Sequence, residues 1–298
     1  MSAEMRDPAH PVHQEHAGRE KEKEKQQRGT GAAELEPDEE KKAEEEESLN
    51  ASITHEVIRR EGIKELERPA SALAWSGLAA GLSMCFSFAT EGVLHAHLPD
   101  APWRILVAKL GYAMGFLIVI LGSQQLYTEN TLTPIVPLMA RKTREMFRKV
   151  GMLWSVVFLT NLVGALLFAW AIAYTDAFSL EVRHAFDTIA LKSAEGDVPG
   201  RIVRGVFAGW LIALLVWMLP AAENSRVLVI VVMTWLVGAG ELAHVIVGSV
   251  EMFYLAAKGL MSYGTALVDH ILPTLVGNTL GGVTMVAAIN HAQVTSGK

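Results

Sequence analysis

The chain has 298 residues, 51% of them apolar, and a net charge of −6 from 26 basic and 32 acidic side chains. The charges crowd the segment before Ala70, and from Ala70 onward the sequence is a series of long apolar runs. A bilayer core of about 30 Å takes roughly 20 apolar residues as helix, and soluble domains do not carry several such runs. The chain therefore reads as a membrane protein. A single cysteine, Cys85, excludes an internal disulfide. There is no P-loop, no Cys/His metal spacing, no nucleophile elbow and no dinucleotide fingerprint. No enzyme activity, metal, cofactor or nucleic-acid partner is expected, and an energised pump would need a partner subunit.

Residues 1–51 are rich in Glu, Lys, Gln and Pro and poor in aromatics. Such a segment buries too little apolar surface to offset ordering entropy. It reads as a largely disordered cytoplasmic tail, or as a solvated helix from Pro37 where Glu and Lys fall at helical spacing. Over residues 52–68, Ile53, Val57, Ile58, Ile63 and Leu66 recur among charges, the pattern of an amphipathic interfacial helix. Pro69 marks the turn into the membrane domain, 69–292, and 293–298 forms a short tail.

Six spans follow. The first covers 70–89. The second covers 105–122, is interrupted by the polar patch 123–130, and is completed by 131–140. The third covers 151–174 and the fourth 205–222. The fifth starts at 227, is interrupted at 238–244, and resumes over 245–257. The sixth covers 271–289. No secretory signal precedes the first span, which is itself the insertion signal. Arg141, Lys142, Arg144, Arg148 and Lys149 make the loop after span two cytoplasmic. The loops at 91–103 and 176–204 are then external, and both termini are cytoplasmic.

Spans one to three and four to six resemble each other. Asn161-Leu162-Val163-Gly164-Ala165 in span three matches Asn278-Thr279-Leu280-Gly281-Gly282 in span six. Gly77 and Gly81 in span one match Gly205 and Gly209 in span four, and spans two and five are the broken ones. Each unit has an odd number of spans, so the second sits upside down. The expected fold is an all-α polytopic membrane protein built of two inverted three-helix repeats, in which matching broken helices point to the substrate site.

Broken helices expose backbone groups that are tolerated only inside protein or beside water. Thr128, Glu129 and Asn130 are suited to cap a half-helix starting near Thr131. Two half-helix N-termini meeting at mid-membrane would favour an anion. His244, in the second break, is the leading site residue: an ionisable group at membrane depth able to donate a hydrogen bond or a proton near neutral pH. It is the one histidine read as deep in the membrane, and Asn161, Asn278, Gly209, Gly248 and Glu241 are further candidates for the pore or substrate site. Thr128 offers a hydroxyl from the first break. Leu126 and Tyr127 form an apolar constriction or pack in the core. Lys109 draws anions into an outer vestibule or snorkels. Glu91, His95, His97 and Lys192 are external polar residues without a specific signal. Glu241 and Glu251 flank the second break and weigh toward a neutral or cationic solute. A channel for small monovalent anions and one for water, neutral solutes or cations both stand at this point.

Leu126-Tyr127-Thr128 in a broken second span, residues 161–168 in span three, His244 in a broken fifth span and Gly277-Asn278-x-x-Gly281-Gly282 in span six together resemble the formate/nitrite transporter family. Glu65-Leu66-Glu67-Arg68 and the charged N-terminal extension resemble its YfdC-like branch. The resemblance implies an aquaporin-like fold and a homopentamer in the inner membrane with one pore per subunit. It implies small monovalent anions as substrates, His244 as the central pore histidine, Thr128 as its partner, and two apolar constrictions around them. Four positions depart from the family pattern. Ala243 stands where Glu is usual, Gly248 and Gly209 where Asn is usual, and Glu129 where a small residue is usual. These departures imply an altered, wider polar lining.

Overall fold

The computed structural model describes residues 37–222, 224–284, 289 and 292, with side chains from residue 52 onward. Residues 1–36 of the expected tail and the C-terminal tail lie outside the described residues, as does most of the end of the sixth span. Every regular element among the described residues is helical.

The first helix, α1, spans Pro37–Leu66. It begins within the expected charged tail and continues into the apolar stripe. The stripe itself divides. Ile58 and Leu66 are buried, while Ile53 and Val57 are exposed. Gly62 sits so tightly against the Thr133 carbonyl that no Cβ fits. This face of α1 packs on protein, which revises the expectation of a helix lying only on the membrane surface.

Helix α2, Ala70–His97, starts at Pro69, whose missing N–H is harmless at a helix N-terminus. Next come α3, Arg104–Ala108, a 3-10 turn, Lys109–Tyr112, and α4, Ala113–Leu121. Another 3-10 turn, Glu129–Thr131, precedes α5, Ile135–Ala140. Helix α6, Arg144–Tyr174, is capped by the Thr143 hydroxyl, which accepts from Met146 N–H. Helices α7, Leu180–Ala194, and α8, Val198–Met218, are capped in the same way by Ser179 and Asp197. Then come α9, Arg226–Ala239, α10, Val245–Ala257, the single turn α11, Tyr263–Thr265, a π turn, Ala266–Ile271, and α12, Leu272–Gly282. Among the described residues, four segments are long and apolar enough to cross a membrane: Ala70–His97, Arg104–Leu121, Arg144–Tyr174 and Val198–Ala221. Helices α9 and α10 are shorter apolar helices.

The region 176–204, expected as an external loop, contains α7. Its buried Val182, Phe186, Ile189 and Ala190 follow helical spacing and seat it on the bundle.

Two helix pairs pack along their lengths, α6 on α2 and α12 on α8. The same contact is made in both. Gly81 leaves no room for a Cβ against the backbone of Asn161, and Gly209 none against the backbone of Asn278. From the opposite side, Gly164 presses on Gly81 and Leu82, and Gly281 on Val206 and Trp210. Without a hydrophobic drive between helices in lipid, such close approach through small residues supplies the packing. On the outside of α6, Leu159, Val163 and Leu167 form an exposed apolar stripe, a surface for lipid or a second protein rather than water.

Candidate functional site

Both expected breaks carry the same backbone construction. Helix α4 ends at Gly122 and α9 at Gly240. The next residue in each case, Ser123 or Glu241, has φ 50°, a left-handed conformation that ordinary side chains hold only when the surroundings impose it. The chain then passes under an asparagine. Asn161 donates from Nδ2 to the carbonyls of Gly77 at 2.7 Å and Gln125 at 2.9 Å, and its Oδ1 accepts Tyr127 N–H at 3.0 Å. Asn278 donates to Gly205 and Ala243, both at 2.8 Å, and accepts Val245 N–H at 2.8 Å. Both asparagines are fully buried. Residue for residue, Ser123 corresponds to Glu241, Gln125 to Ala243 and Tyr127 to Val245. Leu126 therefore stands where His244 stands. Sequence reading found the two asparagines but put them in the pore. Each amide is instead spent on backbone, because an unpaired strand of main chain at this depth must be satisfied internally.

Glycine 209 is corrected for the same reason. It backs onto Asn278 rather than facing open space. Gly248 does face space: a Cβ there would meet nothing within 4 Å.

The two breaks meet at His244 and Thr128. His244 Nε2 lies 2.8 Å from Thr128 Oγ1, with His244 only 2% exposed and Thr128 fully buried. His244 is also the N-cap of α10, its Nδ1 accepting Val247 N–H at 3.4 Å. Since Nδ1 accepts, these bonds assign the ring proton to Nε2, which donates to Thr128, and the Thr128 hydroxyl keeps a proton to give. The edge of Phe116 closes over the ring at 4.9 Å between centroids. Thr128 does not cap a half-helix as expected; α5 starts only at Ile135, behind Pro134. Nor do two bare helix ends face one another, since Val245 and Val247 N–H are already occupied.

A cavity of about 310 Å³ leads to His244. His244, Gly248, Glu251, Lys109 and Glu241 all line it, whereas Thr128, Leu126 and Tyr127 do not. Leu126 is fully buried. Tyr127 packs on Trp154 and Phe158 and bonds Thr279 through its hydroxyl at 2.8 Å, so of the expected constriction pair it is committed to packing. Lys109 is neither a free attractor nor a snorkelling side chain. Its Nζ lies 2.6 Å from Oε1 of the buried Glu91, which leaves that charge already matched.

Several cavity residues carried no signal in the sequence. Glu91 and His95 looked external, yet both line the cavity, as does Lys192. His270, at the head of the sixth span, is buried and lines the cavity too. Arg201 donates to the carbonyls of residues 193–196 that close α7. The helical spacing of Val182, Phe186 and Ile189 behind Ser179 was the signal that would have folded this wall onto the spans.

A bundle of apolar helices with buried, clamped breaks and a cavity ending at a polar junction defines a membrane transport protein. The formate/nitrite transporter family model matches residues 52–292, and the chain belongs to that family. It is 42% identical over 244 residues to the inner membrane protein YfdC of Escherichia coli, covering 82% of this chain and 79% of that one. It is 21% identical to the formate channel FocA of Haemophilus influenzae, over 72% of this chain and 84% of that one. Its fold matches a pentameric formate channel with formate bound at a TM-score of 0.66 and 18% identity, covering 77% of this chain and 98% of that one.

Proposed function

We propose that this chain forms a pore for small monovalent anions of the formate kind in a bacterial inner membrane, with both termini cytoplasmic. The anion descends the cavity, meets His244, and leaves past Thr128 and Leu126. The observation that carries this reading is the 2.8 Å contact of His244 with Thr128, which joins the two clamped breaks at the end of a cavity. The chemistry fits an anion. His244 gives its proton in a hydrogen bond to Thr128, and the Thr128 hydroxyl is left to donate to an oxygen of the passing solute. Leu126, in the place of His244 but apolar, is the gate residue, closing by dewetting. The matched clamps, glycines and left-handed residues support six spans in two inverted repeats with broken second and fifth helices. The exposed apolar stripes and the relatives support a homopentamer set in lipid.

A second reading is favoured by Glu91, Glu241 and Glu251, three carboxylates on the cavity wall: passage of neutral solutes or cations. Flux through the purified protein in liposomes separates the two. Formate, nitrite and hydrosulfide are compared with potassium and glycerol, at pH about 5 and 7.5 to bracket an ordinary imidazole. Anion flux that drops in His244→Ala supports the first reading. Glycerol or potassium flux without anion flux overturns it.

A further inference from the structure

On α10, His244, Gly248 and Glu251 follow at steps of four and three, which places them on one face of the helix, and all three line the cavity. Glu251 stands two turns outward of His244, about 10 Å along the axis at 1.5 Å per residue. Gly248 between them leaves the way open.

The charges around Glu251 do not balance. Glu251 is 5% exposed and Glu91 3%. Lys109 takes Glu91 Oε1, and Glu91 Oε2 is buried with no partner. Lys109 also faces Glu251. Ser193 of α7 is a hydrogen-bond partner of Glu251, and the other charged groups lining this space, apart from Glu241, are engaged elsewhere. From α7, Lys192 pairs with Glu195 at 2.9 Å. From α8, Arg201 is bonded to the carbonyls that end α7, and Arg204 donates to the Glu195 carbonyl. From α2, His95 lies at the outer end, and from the 3-10 turn Tyr112 contributes a phenol. His270 comes from the π turn and the exposed Glu241 from the connection before α10. Helix α6, which also packs on α10, has no charged residue after Lys149. The part-buried Lys109 ammonium therefore faces two buried carboxylates, Glu91 and Glu251. A second ionised carboxylate would lack a counter-ion, which is expensive at this depth.

We propose that Glu251 is the proton carrier of this pore, giving a proton to each anion on its way to His244. The inference rests on the anion-pore reading above. The O–H bond of the Glu251 carboxyl breaks, an O–H bond forms on the incoming oxyanion, and the neutral acid moves past Gly248. The Glu251 carboxylate, momentarily held by Lys109, takes a proton back from external water. Transport is then electroneutral, one proton with each anion, and His244 serves as a hydrogen-bonding waypoint rather than the acid.

The test uses the whole protein in liposomes, with labelled formate, a lumenal pH dye and an imposed potassium-diffusion potential, after subtraction of protein-free vesicles. The native protein is expected to carry one proton per formate at a rate indifferent to the potential. Glu251→Gln should lower the flux about a hundredfold, the low end of what a positioned acid supplies, and its residual flux should follow the potential. Glu251→Asp should restore the proton coupling. Native flux and native coupling in Glu251→Gln overturn the proposal and leave the anion pore standing. Potential-driven formate flux in the native protein does the same. No anion flux in the native protein overturns the pore reading and this one with it. Infrared difference spectra of the native protein across a pH step give a measurement independent of transport and of how the variant folds. A protonated-carboxyl band that persists at neutral pH and is lost in Glu251→Gln is expected. Its absence from the native protein overturns the proposal.

Discussion

The two breaks share a backbone and differ in what surrounds it. In the first, the clamped chain runs into a 3-10 turn and a six-residue helix shortened by Pro134 and Pro137. A polar chain holds it from the cytoplasmic side of the proposed topology: Glu65 of α1 accepts from Gln125 at 2.8 Å, Gln125 accepts from Asn130 at 3.0 Å, and Trp154 donates to the Asn130 carbonyl at 2.8 Å. In the second, the chain enters the thirteen-residue α10 directly, and His244 is its cap. The duplicated parts, asparagine, glycines and left-handed residue, fix where the main chain goes. The residues that differ, Leu126 against His244 and Gln125 against Ala243, set what surrounds that main chain: His244 lines the cavity, and Gln125 bonds Glu65 and Asn130.

The clamps give the sharpest way to break this comparison. Asn161→Ala and Asn278→Ala each remove a partner from three backbone groups, of which the two in the break have no helical bond to fall back on, and every buried group left unpaired costs about 1–3 kcal/mol. These should be the most destabilising changes proposed here, read as a fall in the thermal midpoint of the detergent-solubilised protein. The second break has no counterpart to the Gln125 network, so Asn278→Ala should cost more than Asn161→Ala. Equal losses would mean that the α1 side contributes nothing to holding the first break. Asn278→Asp keeps Oδ1 as acceptor for Val245 N–H and loses both donations, so it should fall between native and Ala.

Alanine at Gly81 or Gly209 comes next. A Cβ at either position overlaps the backbone of the partner helix, and relieving overpacking costs about 1–3 kcal/mol. The two variants should match within error, because here the copies are geometrically alike. A tolerant Gly209→Ala would mean that α8 and α12 separate more easily than α2 and α6.

How much of this was written in the sequence follows from the same residues. The repeat was visible because close packing needs glycine and the clamp needs asparagine at fixed spacing, and few residue types can replace either. His244 was visible because an imidazole inside an apolar run is rare. The role of the asparagines was not, since an amide that lines a pore and one that holds a main chain look the same in one dimension. The pairing of Glu91 with Lys109 joins α2 to a 3-10 turn, and no local pattern announces it. Helix α7 was legible from Ser179 and the apolar spacing behind it, but its mixed charge suggested a loop.

Thr128→Val tests the junction itself. It keeps the shape and removes the acceptor of His244 Nε2–H, an unpaired buried donor worth about 1–3 kcal/mol, and it takes away the hydroxyl proposed to donate to the solute. Formate flux should fall about tenfold, since 1.4 kcal/mol is a factor of ten, while the oligomer elutes unchanged. Thr128→Ser should retain most of the flux. Loss of flux in both variants would assign the effect to packing around the methyl group rather than to the hydrogen bond.

The smallest effect is expected at the seam of α1. Glu65→Gln replaces a carboxylate that accepts from both Gln125 and Arg68 with a neutral amide, which keeps an acceptor and loses the charge assistance. A charged hydrogen bond exceeds a neutral one by about 1 kcal/mol, so the midpoint should drop by a few degrees at most. The informative readout is hydrogen exchange on the peptide segment 123–133. If α1 steadies the first break, exchange there should quicken in Glu65→Gln while the segment around 241–247 keeps its native rate. Equal acceleration in both would show that the two breaks are coupled through the His244–Thr128 contact rather than held separately, each by its own side of the protein.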